Sequence, residues 1–248
     1  MSARLALVAG AVLFMTGPTS ARTPADHATA AMPPAIEGQT EQPAPPGGFP
    51  YLLFLPKGYN AAAGAKWPVI VFLHGSGEAG TDLAKVAAHG PPEIVKGDPA
   101  FPFIVISPQT TSEDAFDIPT LNRTLNAALV GLHADTDRIY LTGLSMGGIA
   151  TWAWAEADPT RFAAIAPVAA EGDTARACVL AKLPVWDFHG DSDTVVPVMH
   201  DIAMVEAIRA CGGAPRLTIY PATGHGSWDA AYGDQGLYMW FLHHRRGQ

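Results

Sequence analysis

Arg138-Ile-Tyr-Leu-Thr-Gly143-Leu-Ser145-Met-Gly147-Gly148 carries an apolar segment into G-x-S-x-G, and Ile149-Ala-Thr-Trp-Ala-Trp154 continues it with the residue types of a buried helix. A strand that turns into a helix over so few residues forces the serine into a strained backbone conformation. The positions two before and two after it must then be small to avoid collision with neighbouring elements. Gly143 and Gly147 stand at those positions. The helix start behind Ser145 also offers unpaired N–H groups and the positive end of a dipole to a developing oxyanion. Ser145 is therefore the candidate nucleophile, against the plainer alternative of an idle serine in a glycine-rich turn.

A serine hydroxyl is a weak nucleophile until a base takes its proton, and the base needs a third group to hold its tautomer. Downstream lies Pro184-Val-Trp-Asp-Phe-His-Gly190-Asp-Ser-Asp193-Thr-Val-Val-Pro197, a buried-type strand ending in an acid-rich turn. After it come Leu217-Thr-Ile-Tyr220 and the loop Pro221-Ala-Thr-Gly224-His225-Gly226. The order serine, acid, histidine is that of the α/β-hydrolases and differs from the chymotrypsin and subtilisin orders.

At these residues the chain resembles the α/β-hydrolase superfamily over about residues 51 to 244. Gly190-Asp-Ser-Asp193-Thr-Val-Val-Pro197 is similar to its G-x-x-D-x-x-V-P acid loop, Gly224-His225 to its histidine loop and His74-Gly75 to its oxyanion loop. Within the superfamily, His74-Gly-Ser-Gly-Glu78-Ala-Gly-Thr-Asp82 resembles the oxyanion loop of bacterial exported esterases of the predicted-peptidase, feruloyl-esterase and polyhydroxybutyrate-depolymerase-like group. The resemblance implies a serine carboxylesterase with no cofactor and a triad of Ser145, Asp193 and His225. Asp191 is the alternative acid, and Asp187 lies far back in the strand. It further implies that the N–H of Ser76 joins that of Met146, the residue after the nucleophile, in the oxyanion hole. Relatives often carry an acid after the catalytic histidine, whereas this chain has Gly226.

Other polar residues near these loops admit two readings. His74 and His189 are expected to shape loops or pack in the interior, and His200 to begin a helix in solvent. Glu78 and Asp82 are expected to hold the oxyanion loop by hydrogen bonds, with substrate contact by Glu78 the alternative. Trp228 either stacks on a sugar or aromatic acyl group of the substrate or packs in the core. Gly75-Ser-Gly77-Glu-Ala-Gly80 also fits G-x-G-x-x-G, but the region where a dinucleotide site needs a second strand reads Pro91-Pro92-Glu-Ile-Val-Lys-Gly-Asp98-Pro99. A dienelactone hydrolase would want cysteine in place of Ser145. A peptidase or amidase using the same triad and a non-catalytic binding protein on the same fold remain the rival classes.

Around these motifs, short apolar runs alternate with helical segments, the pattern of a mostly parallel twisted sheet with helices on both faces. Strands are expected near 51–55, 68–73, 103–107, 138–143, 164–168, 184–189 and 216–220. Leu121, Leu125, Leu129 and Leu132 share a helix face. Further helices are expected after Ser145, from about Val198 to Ala210, and over about 235–244. Only some 15 residues separate the strand ending near Val168 from Pro184, which leaves no room for a large cap domain over the site.

The chain has 248 residues, 48% of them hydrophobic and 15% charged, enough for one large buried domain, and a formal charge of −8 that opposes binding to nucleic acid. The basic His243-His244-Arg245-Arg246 is expected to complement the end of a last helix. Residues 1–21, with Arg4 before the apolar run Leu5 to Met15, read as a signal peptide too short to span a bilayer as a mature helix. The predicted organisation is signal peptide 1–21, a proline-rich disordered linker 22–48 and an α/β-hydrolase domain 49–248, secreted or periplasmic and without stable membrane insertion. In an oxidising compartment Cys178 and Cys211 could pair, or stay as two buried thiols; they have no C-x-x-C spacing for a metal. The expected substrate is a small-molecule or polymer-linked ester.

Overall fold

The computed structural model describes residues 36–60 and 64–248, so the expected signal peptide lies outside the described residues. Eight strands form one open sheet: β1 (Gly38–Gln42), β2 (Tyr51–Leu55), β3 (Trp67–Leu73), β4 (Ile104–Pro108), β5 (Ala134–Leu144), β6 (Ala164–Val168), β7 (Trp186–Gly190) and β8 (Arg216–Tyr220), in the order β1-β2-β4-β3-β5-β6-β7-β8. β1, β2 and β4 pair antiparallel; β4, β3, β5, β6, β7 and β8 run parallel. This is the α/β-hydrolase architecture expected from the sequence, and among the described residues no cap is inserted between its strands.

The inner strands β2 to β6 are largely buried on both faces, so their apolar runs are nearly continuous and successive side chains serve opposite layers. Ile139 and Leu141 of β5 face one core and Tyr140 the other; Val69, Val71 and Leu73 of β3 oppose Ile70 and Phe72 in the same way. The first layer is covered by α2 (Ile118–Leu129), α3 (Met146–Ala157) and α4 (Met199–Ala210), through Leu121, Leu125, Trp152, Trp154, Met204 and Ile208. The second is covered by α1 (Pro91–Gly97), α5 (Trp228–Gly233) and α6 (Gln235–Leu242), with Val95, Tyr232, Leu237, Tyr238 and Phe241 turned inward. Each such side chain, fully withdrawn from water, contributes about 1.5–3 kcal/mol before the entropy of ordering is set against it. Among the described residues no helix is long and apolar enough to cross a membrane.

Two elements depart from the sequence reading. Within 22–48, read as disordered, Gly38–Gln42 forms edge strand β1, paired from Gly38↔Leu55 to Gln42↔Tyr51. Gly-Gln-Thr-Glu-Gln has no apolar residue to betray a strand; the free edge of β2 supplies its hydrogen bonds. Pro91-Pro92, read as a break, instead opens α1, where a missing N–H costs nothing because the first turn has no acceptor for it. No strand follows there, and Asp98 is the C-terminal cap of α1, which removes the dinucleotide-site reading.

At the C-terminus, His243 and His244 donate from Nδ1 to the Met239 and Trp240 carbonyls at the end of α6. Arg245 and Arg246 pair with Asp135 and Asp137 of β5. Cys178, in the 3-10 segment Thr174–Leu180 that links β6 to β7, is bonded to Cys211 at the end of α4, with the Cα atoms 5.1 Å apart. The bridge closes a loop across a sequence separation of 33. Replacing both cysteines by serine is expected to lower stability by about 2–4 kcal/mol, measured by denaturant unfolding without reductant; an unchanged midpoint would show that the bridge does not restrain the unfolded chain.

Candidate active site

The parallel strands aim their C-terminal ends at one edge of the sheet, and the loops leaving those ends bring together residues far apart in sequence. Ser145 sits between β5 and α3 with φ 52° and ψ −120°, a region that side chains other than glycine rarely occupy. The turn is held by the Ser145 N–H donating to the Val168 carbonyl at 2.9 Å. Its tightness explains the flanking glycines. A Cβ on Gly143 would lie 2.3 Å from the Gly147 carbonyl oxygen, and one on Gly147 would lie 2.0 Å from that of Leu73.

His225, in the loop after β8, has Nε2 2.9 Å from Ser145 Oγ and Nδ1 2.7 Å from Asp193 Oδ2. Asp193, in the loop after β7, also accepts at Oδ1 from the amides of Val195 and Val196, at 2.8 and 3.0 Å. Burial pushes its carboxyl up, but the His225 hydrogen bond and these two amides outweigh burial and hold it below the ordinary carboxylate range. Asp191, the alternative acid, instead accepts from the Ser192 hydroxyl on the surface. A hydroxyl, an imidazole and an ionised carboxylate so arranged can pass the hydroxyl proton to the imidazole while the carboxylate steadies the resulting cation.

Met146 is the first residue of α3, so its N–H has no intrahelical partner. The opposite wall is the loop 74–82 after β3, where Ser76 opens a short 3-10 turn. That loop is fixed from inside. Glu78 Oε2 accepts from the Gly75 N–H at 3.0 Å, Asp82 Oδ1 accepts from Ala84, and Gln109 Nε2 donates to the carbonyls of Glu78 and Asp82, each at 2.8 Å. His74, fully buried, accepts the Thr110 N–H at Nε2 (3.2 Å), so its proton sits on Nδ1 and is donated to the Gly75 carbonyl at 2.6 Å. Burial lowers its pKa against the pull of that carbonyl and of Glu78, consistent with a neutral structural imidazole. His200 pairs at the surface with Glu171.

Trp228 stands edge-on to His225, ring centroids 5.2 Å apart, and to His89 at 5.6 Å. Behind it opens a cleft of about 600 Å³ lined by His89, Glu93, Ile94, Asp229 and Tyr232. His89 faces Glu78 at 3.9 Å and Asp229 at 3.7 Å. Gln109 and His89 were not singled out from the sequence. Gln109 carried a usable signal, a polar residue just past the buried strand Ile104–Pro108; His89 carried none, since its neighbours Glu78, Trp228 and Asp229 come from two segments distant in sequence. Among the described residues no group of three or more His, Cys, Asp or Glu side chains is placed to hold a metal ion.

Comparison with known proteins gives a consistent picture. Residues 101–234 match the phospholipase/carboxylesterase family of α/β-hydrolases. A Methylorubrum extorquens protein assigned as a carboxymethylenebutenolidase is 33% identical over 108 residues, 37% of this chain and 35% of that one. A solved thermostable esterase is 30% identical with a TM-score of 0.69, over 84% of this chain and 63% of that chain. A Klebsiella pneumoniae structure described as a dienelactone hydrolase is 20% identical with a TM-score of 0.61, over 84% of this chain and 98% of that chain, and shows the shared fold. The chain thus spans about a third of the first relative's length and under two thirds of the esterase's. The separation from dienelactone hydrolases drawn from the nucleophile does not extend to overall likeness; it rests on residue 145 being serine.

The elbow's steric closure makes Gly147→Ala severe, because the methyl group would meet backbone of β3 rather than a side chain able to move. We expect a destabilisation of about 3 kcal/mol or more, read as a lowered thermal midpoint or as failure to recover folded protein. A variant melting within a degree or two of the parent would contradict the close approach of β3, β5 and α3.

Proposed function

Because the chain belongs to the phospholipase/carboxylesterase family, we propose that it hydrolyses carboxylic esters through an acyl-enzyme intermediate on Ser145. The observation that carries the proposal is the hydrogen-bonded chain from Ser145 Oγ through His225 to Asp193 Oδ2, ending on a serine held at positive φ at a helix start. Ser145 Oγ attacks the ester carbonyl carbon as His225 Nε2 takes its proton. The carbonyl oxygen gains the negative charge and is met by the N–H groups of Met146 and Ser76, each such donor being worth on the order of 10²–10³ in rate. Collapse of the tetrahedral intermediate expels the alkoxide, which takes the proton from His225 and leaves as alcohol. Water, deprotonated by the same histidine, then attacks the acyl-serine, and the second collapse releases the carboxylic acid and restores Ser145. Asp193 holds the imidazole with Nδ1–H toward itself throughout, so that Nε2 is always the nitrogen facing the serine.

The proposed substrates are short-chain, aryl or polysaccharide-linked esters. The segment between β6 and β7 holds only the 3-10 turn Thr174–Leu180, tied to α4 by the disulfide, and offers no lid. An uncovered site admits a bulky alcohol but buries little of a long acyl chain, so a long-chain transition state gains little apolar binding. We place its action in a secreted or periplasmic setting, where a disulfide such as Cys178–Cys211 persists.

Ser145→Ala is expected to lower turnover on p-nitrophenyl acetate on the order of 10³-fold or more while leaving thermal unfolding unchanged. A fluorophosphonate probe should label the parent and not the variant. Retention of more than about a tenth of the activity, or faster turnover of peptide anilides than of esters, would overturn the esterase reading. Across p-nitrophenyl esters from acetate to palmitate, kcat/KM should fall beyond short acyl lengths, and the tributyrin rate should not jump at its solubility limit. A jump or a palmitate maximum would reveal a lid.

A further inference from the structure

Behind the triad acid lies a second set of ionisable groups that the hydrolytic steps do not use. His189 ends β7, fully buried. Its Nδ1 is 2.5 Å from Asp201 Oδ2 on α4, its Nε2 is 2.8 Å from the Val196 carbonyl oxygen, and the same Nε2 is 3.2 Å from Asp193 Oδ2. That last oxygen is the one that receives the His225 hydrogen bond. Every polar atom facing the His189 ring is therefore an acceptor, so an imidazole with only one N–H would leave one ring nitrogen pressed against an oxygen with no proton between them.

Asp201 is itself backed by Asp187 of β7, fully buried, whose carboxyl lies within hydrogen-bonding reach of it. Both oxygens of Asp187 and Oδ1 of Asp201 lack a hydrogen-bond partner of good geometry. Two adjacent carboxylates cannot both stay ionised out of water, and a single proton between them satisfies the pair. Burial, then the charge of Asp201, pushes Asp187 well above the ordinary carboxylate range. Burial also raises Asp201, against the His189 hydrogen bond, its charge and the Ala170 amide. A proton held by Asp187 and donated to Asp201 satisfies the pair and leaves Asp201 Oδ2 to accept from His189. For His189, burial disfavours the cation, but the Asp201 hydrogen bond and charge, the Val196 carbonyl and Asp193 together raise it above its usual range.

We propose that Asp187, Asp201 and His189 form a buried positioning relay in which a neutral Asp187 and an ionised Asp201 hold His189 as an imidazolium against the catalytic Asp193. The relay does two things to Asp193. It sets the His189 ring 3.2 Å from Oδ2, which accepts the His225 hydrogen bond, while the Val195 and Val196 amides hold Oδ1, and this restrains the carboxylate from rotating away from His225. It also places a positive charge beside the carboxylate, which offsets part of the stabilisation Asp193 offers to a protonated His225 and keeps His225 in its proton-accepting form at lower pH. The titratable groups facing His189 are Asp201 from α4, Asp193 from the loop after β7 and, behind Asp201, Asp187 from β7 itself; His200 and Glu171 pair outward into solvent. Facing His225 are Asp193 and Ser145.

The inference rests on Asp193 being the acid of the proposed triad, and its test separates the two. In His189→Gln a side-chain amide replaces the ring as donor toward the Val196 carbonyl but the charge is gone. In Asp201→Asn the imidazole loses its counter-charge. Both are expected to move the acid limb of the kcat/KM profile to higher pH by about half to one unit, since removing the cation lets His225 bind its proton more tightly. In Asp187→Asn a neutral donor replaces a neutral donor, so the limb stays at the parent's pH. A uniform loss of activity with an unmoved limb in the first two variants, or a limb shift in Asp187→Asn as large as theirs, would overturn the relay. Nitrogen-15 NMR of the parent protein's histidines at pH 7.5 needs no variant to fold: both His189 ring nitrogens should carry protons, and a bare nitrogen there refutes the proposal. If Asp193→Asn keeps full activity, the triad reading fails instead, whatever the His189 spectrum shows.

Discussion

The close approach of three backbones at the β5–α3 turn is the constraint on which the site depends. Leu73 of β3, Gly143 at the end of β5 and Gly147 in the first turn of α3 come so near that no side chain fits at either glycine. Only with that clearance can the chain reverse from strand to helix at a single residue, and that residue is driven to positive φ. The strain presents the Ser145 hydroxyl above the sheet edge instead of into the core, and it leaves the Met146 N–H at the open end of α3. Without it the serine would pack between α3 and the sheet, and the neighbouring histidine would have nothing to deprotonate.

The rest of the site gathers around that point because parallel strands share a direction. β3 delivers the loop 74–82, β5 the serine, β7 the aspartate and β8 the histidine, all at C-terminal strand ends. Among the described residues, the non-glycine positions with positive φ are Ser145, Ala169 and Ala222, following β5, β6 and β8 respectively. Backbone strain is thus concentrated at the functional edge, while the opposite edge carries the disulfide-tied link and the C-terminal arginines, which serve stability. The two loops that must hold still are fixed by different chemistry. The oxyanion side is held by side chains bonding to backbone, with His74, Gln109 and the Glu78 carboxylate as straps, whereas on the acid side Asp193 lies between two imidazoles.

That difference suits what each side meets in the reaction. In the proposed reaction the oxyanion wall receives new negative charge, and a pre-aimed set of backbone amides does so without reorganising. In the same proposed cycle the acid side must tolerate a positive charge that appears on His225 and disappears again twice per turnover. A buried carboxylate already balanced by a second cation changes its net interaction less over that cycle than an isolated one would.

The elbow was legible in the sequence because its cause is local: a run of apolar residues, two glycines spaced around a serine, and a helix start follow from steric contact within a dozen residues. The order of Ser145, Asp193 and His225 was legible because it follows chain order, and the strands because residues buried on both faces are apolar throughout. β1 was not, since an edge strand of Gly-Gln-Thr-Glu-Gln is held by backbone hydrogen bonds to β2 and shows no side-chain periodicity. Nor were α1, hidden behind Pro91-Pro92, or the place of His89 between Glu78 and Asp229. Asp187 and His189 read as residues of a strand, and Asp201 was not singled out. The sequence by itself determined which groups could do chemistry and in what order they come; the tertiary structure alone decided that Asp201 and Asp187 stand behind His189 and that His189 stands behind Asp193. A buried charge is set by every group around it in space, and those groups lie on β7, α4 and the loop joining them, brought into register only by the packing of the sheet.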